Sequence, residues 1–177
     1  MTKKPPSSKN KNSLTKNWQI IGWQELVMLP ELSMYNSDLG NLYNIKIIAK
    51  IDSGAKTSTI NAINLKINKN DDQLWAEFYV KSNIEEDNLM NNKNHQSKLI
   101  LCKAKITEYR YITDSGGKKE YRPIINSEVV IGKIIIKSDI SLTNRQHMKM
   151  QMLIGRDSLK KAKMIINPTK KFLTSNN

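Results

Sequence analysis

The sequence carries one short motif with the residue types of an acid–base catalyst: Asp52, Ser53, Gly54 and Ala55, directly after an alternating apolar run that ends at Ile51. Two carboxylates held close together cannot both ionise, so they share one proton. One can then deprotonate a water molecule while the other donates a proton to a peptide carbonyl. Serine offers a hydroxyl to hold the loop, glycine lets the backbone amide approach the carboxylate, and alanine leaves room for a substrate. The motif therefore predicts one half of a site for peptide-bond hydrolysis.

A second motif, residues 152–159 (MLIGRDSL), joins an apolar run to a segment with helical spacing. A strand with Asp-Ser-Gly-Ala followed by a strand with Ile-Gly-Arg-Asp and a helix resembles the retroviral-type aspartic peptidases. In that family, a strand passes beside the catalytic loop and turns into a short helix. The resemblance implies that Gly155 allows close packing beside the acidic loop and that Arg156 anchors the helix. The resemblance implies a homodimer in which each subunit contributes one Asp52 to a shared site.

Most of the chain, from about residue 20 to residue 173, also resembles the bacterial family named putative ATP-dependent zinc proteases. The resemblance lies in segments 21–25, 29–32, 49–58, 121–125, 142–148 and 152–156. That family is similar in fold to retropepsins, and its members are often encoded with ATP-grasp enzymes that ligate glutamate onto protein termini. The resemblance implies an all-β, acid-protease (retropepsin-like) closed β-barrel with one short C-terminal helix. It also suggests a peptide or protein substrate with acidic or glutamate-modified termini.

One position departs from the retroviral pattern. Retroviral enzymes usually have aspartate directly after the Asp-Ser/Thr-Gly-Ala motif, where it can pair with the helix arginine, but this chain has Lys56. Lysine cannot pair with Arg156. We therefore expect this ion pair to be absent, or to be replaced by a pair with Asp157 or Glu25.

The sequence contains a second Asp-Ser-Gly, at Asp114, Ser115 and Gly116. It is followed by the charged residues 118–120 and is polar on its distal side, so it is predicted to be a hairpin turn. It also lies too close to Asp52 in sequence for the two-lobed single-chain architecture, in which each lobe is a domain in itself. We therefore expect the partner carboxylate to come from a second copy of the chain.

The sequence gives little support to the zinc and ATP of the family name. His95 and His147 are the only histidines and lie far apart, and neither a His-Glu-x-x-His motif nor a cysteine pair occurs. There is also no glycine-rich phosphate loop. No metal ligand and no cofactor are predicted. The single cysteine, Cys102, lies in an apolar run and is expected to be a buried structural thiol in a reducing compartment.

Short runs with period-two alternation dominate the rest of the chain and predict strands. A glycine at Gly132 predicts a tight hairpin between two apolar runs. One short helix is expected from about Arg156, followed by a late strand at 164–166. Two polar stretches, 82–97 and 113–120, are predicted surface loops, and the sequence does not decide whether either covers a substrate. Three methionines at strand spacing are expected in the core or at a dimer interface: Met148, Met150 and Met152.

The chain has 29 basic and 16 acidic residues and a net charge of +13. Residues 1–17 are predicted to be a disordered basic tail, and residues 18–177 the retropepsin-like peptidase domain. No apolar stretch is long enough to span a membrane, so a cytoplasmic protein without a membrane partner is expected. The alternative function is a non-catalytic basic β-barrel that binds nucleic acid or an acidic protein. The few aromatic residues lie at strand-like positions, which disfavours nucleic acid.

Overall fold

Most of the described chain is extended. The computed structural model describes residues 18–32, 45–83, 97–114, 116–146 and 149–174, which form eleven strands and one helix. The predicted tail, both histidines and Met148 lie outside the described residues, as does most of the predicted loop after residue 82. Within them, no helix is long and apolar enough to cross a membrane.

The elements follow one another in short steps. They are β1 (Gln19–Gly22), β2 (Gln24–Leu29), β3 (Ile45–Asp52), β4 (Ser58–Asn61), β5 (Ile63–Asn70), β6 (Gln73–Asn83), β7 (Ser97–Thr113), β8 (Lys119–Ile131), β9 (Ile134–Thr143), β10 (Met152–Gly155), α1 (Arg156–Lys161) and β11 (Met164–Asn167). The predicted short helix and late strand are therefore confirmed.

Six strands close into a barrel in the order β2, β3, β10, β4, β9, β8. Closure is made where Val27 and Met28 on β2 pair with Ile131 and Val130 on β8. Strands β7, β6 and β5 continue the sheet outward from β8, while β1 and β11 form a separate parallel pair. The prediction of an all-β closed barrel with one short helix is confirmed.

Alternation explains which side chains fill the barrel. On β3, Ile45, Ile47, Ala49 and Ile51 are buried, whereas the lysines between them face out. The predicted strand at residues 63–67 does form, as part of β5, but most of its residues are exposed. It lies at the end of the sheet and pairs only with β6, so it has one neighbour to pack against.

Two turns behave as the sequence predicts. Gly132 has a φ of +58°, the left-handed conformation that a tight β8–β9 hairpin requires. The Asp114 carboxylate accepts hydrogen bonds from the amides of Gly116 and Lys118 at 2.9 Å, so the second Asp-Ser-Gly is the turn of the β7–β8 hairpin. The strands run further into this turn than expected, to Thr113 and from Lys119.

The sulfur-containing side chains lie mainly inside. Cys102 is fully buried, and burial raises the pKa of its thiol to about 12, so it is the structural residue that the sequence predicts. Met152 is also fully buried in the core. Met150 is only partly buried, and its sulfur accepts a weak hydrogen bond from Gln24 Nε2 at 3.7 Å.

Candidate active site

Asp52 is the last residue of β3, and its side chain lies where the barrel opens to solvent. Its Oδ1 accepts hydrogen bonds from the amides of Gly54 at 3.1 Å and Ala55 at 3.4 Å, so the backbone turns around the carboxylate. Its Oδ2 accepts a hydrogen bond from Lys50 Nζ at 3.0 Å. About a quarter of the Asp52 side chain, 25 %, remains exposed. One carboxylate is thus held in a fixed orientation and stays accessible to water.

The surroundings keep this carboxylate ionised. Burial raises the pKa of Asp52, but the hydrogen bond and charge of Lys50 and the two amide donors outweigh burial, so the pKa falls below its ordinary value of 3.8. At neutral pH, Asp52 of an isolated chain can therefore act as a base but has no proton to donate. General acid catalysis needs a second group.

Gly155, predicted to permit close packing, lies beside Asp52. It is the register partner of Asp52 in the parallel pairing of β10 with β3. A Cβ added at Gly155 would lie 2.6 Å from the carbonyl carbon of Thr57, 2.8 Å from the carbonyl oxygen of Lys56 and 2.8 Å from the amide nitrogen of Ser58. Only glycine fits here without moving the backbone that leads out of the catalytic loop.

Arg156 begins α1 and ties the helix to the loop. Its amide donates to the carbonyl of Ala55 at 2.8 Å, and its Nη1 donates to the carbonyl of Ser53 at 3.1 Å. Among the described residues Arg156 forms no salt bridge, so of the two alternatives left open by Lys56 the ion pair is absent, not replaced. The Glu25 carboxylate is fully buried and binds amides elsewhere.

Three buried serines, which the sequence did not single out, support the same corner. Ser158 Oγ on α1 lies 2.9 Å from Ser58 Oγ on β4 and 2.5 Å from Ser138 Oγ on β9. Ser58 Oγ also accepts a hydrogen bond from the amide of Gly155 at 3.1 Å. Helix, barrel and catalytic loop are therefore joined by hydrogen bonds as well as by packing.

Ser53 differs from the expectation that its hydroxyl would hold the loop. The residue is exposed, and within the described part of the chain its hydroxyl makes no hydrogen bond to the loop. Its carbonyl, which accepts from Arg156, makes the connection instead. The side chain remains available to a partner molecule.

Asp52 lies in the wall of a large cleft of about 1680 Å³. The facing side is the β7–β8 hairpin, which contributes residues 110–114 and, from β8 and the turn before it, Lys118, Glu120 and Arg122. Nine basic and five acidic residues line the cleft, so its net charge is positive. The cleft is large enough for an extended peptide segment and favours an acidic one.

Two cleft arginines, Arg122 on β8 and Arg145 after β9, were not predicted as site residues. Arg122 is only 11 % exposed and pairs with Glu120 at 2.8 Å. The Nε of Arg145 is buried without a hydrogen-bond partner. Both residues lie in segments of the sequence that carry the family resemblance. This resemblance was the only sequence signal that could have identified them as site residues.

The zinc of the family name does not fit the described residues. They contain no group of three His, Cys, Asp or Glu side chains placed to hold a metal ion. The carboxylate of Asp52 is surrounded by Lys50 and two amides, all of which are donors. The chemistry available at this site is that of a carboxylate.

The closed six-stranded barrel, with Asp52 at the end of β3, is a retropepsin-like fold. The chain belongs to the RimB-like family of retropepsin-like aspartic endopeptidases, whose sequence profile matches residues 20–177. The zinc-protease name is not confirmed, because the matched family is described as aspartic. A crystal structure of a protein of unknown function from Legionella pneumophila superimposes with a TM-score of 0.60 at 21% identity, covering 88% of this chain and 97% of that one. It supports the fold alone.

Curated relatives have a different name. Proteins called probable alpha-L-glutamate ligase from Shewanella pealeana and Desulfotalea psychrophila are each 29% identical, over 159 and 150 residues. The matches cover 90% and 85% of this chain but only 30% and 28% of those proteins. The chain therefore spans less than a third of the length of these relatives, and the activity in their names is that of the longer proteins.

Proposed function

We propose that the protein is a homodimeric aspartic peptidase in which Asp52 of each subunit supplies one of two catalytic carboxylates. The observation that carries this proposal is the lone Asp52 carboxylate, oriented by two amides in the wall of a peptide-sized cleft. A second Asp52 from a partner subunit would raise the pKa of one member of the pair, because two adjacent charges repel. The pair would then hold one proton at neutral pH.

The proposed reaction needs only that proton and a water molecule. The ionised carboxylate takes a proton from water, whose oxygen attacks the peptide carbonyl, while the protonated carboxylate donates to the carbonyl oxygen. The resulting gem-diol loses a proton as the C–N bond breaks, and the leaving amine gains one. The pair ends with one proton between two carboxylates, as it began.

The dimer interface is supported by an apolar surface on the β1–β11 sheet. Ile20 is 61% exposed and Ile165 is 43% exposed, and the two are register partners on neighbouring strands. Trp18 and Ile165 line a shallow groove that also includes Ser53 and Arg156. A second copy covering this surface would lie directly beside the catalytic loop.

The β7–β8 hairpin is the segment we assign as the substrate cover. It faces Asp52 across the cleft. Tyr111 at 73% exposed and Tyr121 at 57% exposed contact each other with tilted rings whose centroids are 4.7 Å apart. An extended substrate would lie between this hairpin and the Asp52 loop. The positive cleft, and the glutamate-ligase names of the relatives, support an acidic peptide as substrate.

The single buried thiol suits a cytoplasmic location.

The test combines sedimentation with cleavage of a glutamate-rich peptide library. Wild type should sediment as a dimer and cleave, and Asp52→Asn should lose at least 10³-fold in kcat/KM, since the substitution removes both carboxylates of the proposed dimeric site and leaves neither an acid nor a base. EDTA should leave cleavage intact. Asp72→Asn, on an exposed turn far from the cleft, controls for the substitution itself. Ile20→Glu should give an inactive monomer.

A different result would favour the alternative function. A wild-type protein that is strictly monomeric, cleaves nothing through Asp52, and binds polyanions with a steep salt dependence would be a basic binding barrel. The net charge of +13 is the observation behind that alternative.

A further inference from the structure

Arg145 has an unusual position for a charged side chain. It follows the end of β9, and its Nε is buried without a hydrogen-bond partner. Among the described residues it forms no salt bridge, whereas the other two cleft arginines do: Arg110 with Glu108 and Asp139, and Arg122 with Glu120. A partly buried guanidinium without an anion is unfavourable in the free protein.

The backbone fixes Arg145 in this place. Its amide donates to Asn61 Oδ1 at 2.6 Å, and Asn61 is a buried residue at the end of β4 whose side chain also bonds Gln151. Glu120, which also lines the cleft, accepts hydrogen bonds from Arg122 and from the Thr143 hydroxyl and forms no salt bridge with Arg145. Within the described residues, the Arg145 guanidinium therefore has no anion bound to it.

The charges around Arg145 identify what is missing. Burial lowers the pKa of Arg145, the neighbouring Arg122 lowers it further, and Asp52 raises it. Arg145 thus lies near enough to the proposed catalytic carboxylate for their charges to interact. An anion bound here would relieve the repulsion between the two arginines and give the buried Nε an acceptor.

We propose that Arg145, with Arg122 beside it, binds a carboxylate of the substrate next to Asp52 and so selects acidic residues near the scissile bond. This assignment rests on the proposed peptidase function and concerns its substrate specificity. The planar guanidinium presents paired donors that match a carboxylate in a bidentate arrangement. The carboxylate is either a glutamate side chain or the α-carboxylate at a chain terminus, and the two can be separated by experiment.

The first experiment measures binding without cleavage. Fluorescein-labelled hexaglutamate and C-terminally amidated hexaglutamine, which has neither a side-chain carboxylate nor an α-carboxylate, are titrated against the Asp52→Asn protein and against Asp52→Asn with Arg145→Gln. Removing Arg145 should weaken hexaglutamate binding on the order of 30- to 100-fold, as expected for loss of a buried charge partner, and hexaglutamine binding by less than threefold. Lys133→Gln, at the exposed β8–β9 turn outside the cleft lining, removes the same charge and should change neither.

Amidated hexaglutamate separates the two sources of the carboxylate. If amidation reproduces the loss seen with Arg145→Gln, the α-carboxylate is the ligand. If binding is lost only when the side-chain carboxylates are amidated, the ligand is a glutamate side chain. Equal binding of all peptides by the Arg145 and Arg145→Gln proteins would overturn the proposal.

The second experiment measures cleavage and keeps the two proposals distinguishable. In the wild-type background, Arg145→Gln should reduce the ratio of kcat/KM for glutamate over glutamine peptides to near one while leaving Asp52-dependent cleavage of a neutral peptide. An unchanged ratio alongside Asp52-dependent cleavage would overturn the specificity role and leave the peptidase function standing. A weakened dimer with an unchanged ratio would assign Arg145 to the interface and would also overturn it.

Arg145→Lys covers the case in which Arg145→Gln does not fold. Lysine keeps the charge but loses the paired donors, so the ratio should fall about tenfold. A folded Arg145→Lys protein with an unchanged ratio would contradict bidentate recognition by Arg145.

Discussion

The substitution Gly155→Ala tests how closely β10 packs against the catalytic loop. The added Cβ would lie 2.6 Å to 2.8 Å from three backbone atoms of residues 56–58, whereas carbon contacts are comfortable at about 3.5 to 4.0 Å. The backbone there must therefore shift by roughly 1 Å. That shift is resisted because the amides of Arg156 and Asp157 bond the carbonyls of Ala55 and Lys56.

Overpacking of this kind costs about 1–3 kcal/mol, and in a domain of this size each kcal/mol lowers Tm by about 2–4 °C. We expect Gly155→Ala to lose about 1–3 kcal/mol in urea unfolding, measured at one protein concentration because the proposed dimerisation would contribute to stability. Gly116→Ala is the matched control. Its Cβ would meet only the flexible Asp114 side chain, at 3.3 Å, so a change within about 0.5 kcal/mol is expected. Equal stability of the two variants would refute the packing argument.

Two further substitutions test the charges around the site. Lys50→Met removes a cation that lowers the pKa of Asp52, so the pKa rises and the acidic limb of the kcat/KM profile moves to higher pH. The exposed Lys50–Asp52 pair also stabilises the fold by about 0.2–1 kcal/mol above pH 3.8. This contribution should vanish as the pH falls through the lowered pKa of Asp52 in the folded state. A difference in unfolding free energy between Lys50→Met and wild type that does not change with pH would contradict this. Glu25→Gln should cost about 1.5–3 kcal/mol in urea unfolding and speed amide exchange at Leu173 and Thr174, because the buried carboxylate accepts hydrogen bonds from both. Unchanged exchange would show that Glu25 does not hold the C-terminal segment.

The strand content was predictable because alternation marks individual strands, whereas the closed barrel was expected only from the family resemblance. Alternation on β3 identified which residues face the core, and Gly132 identified the hairpin. The exposure of apolar residues on a strand at the edge of the sheet was not predictable in the same way. An edge strand such as β5 has the same alternation as a central one, and only its position in the sheet leaves Ile67 exposed at 40%.

The acidic loop was predictable because its chemistry is local, since Asp52 is oriented by amides two and three residues away. The serine cluster was not, because Ser58, Ser138 and Ser158 are 80, 100 and 20 residues apart and meet only through the barrel. Serine is common at the surface, so neither its type nor its spacing marks a buried cluster. Residues that act through long-range contacts give no pattern in a single sequence.

Three features of the described residues are incomplete in a single chain, and each would be completed by a different group. Asp52 is an ionised carboxylate held by Lys50 and two amides, and the proposed acid–base chemistry requires a second carboxyl group to supply a proton. Arg145 has a buried donor and requires an anion. Ile20 is an exposed apolar side chain on a paired strand and requires an apolar surface. Natural sequences accept such violations mainly where function compensates for them. In the proposed dimer the three complements are a partner's aspartate, a substrate carboxylate and a partner's apolar face. Variants of Asp52, Arg145 and Ile20 should then fail in separable ways. The first should lose chemistry, the second specificity, and the third assembly.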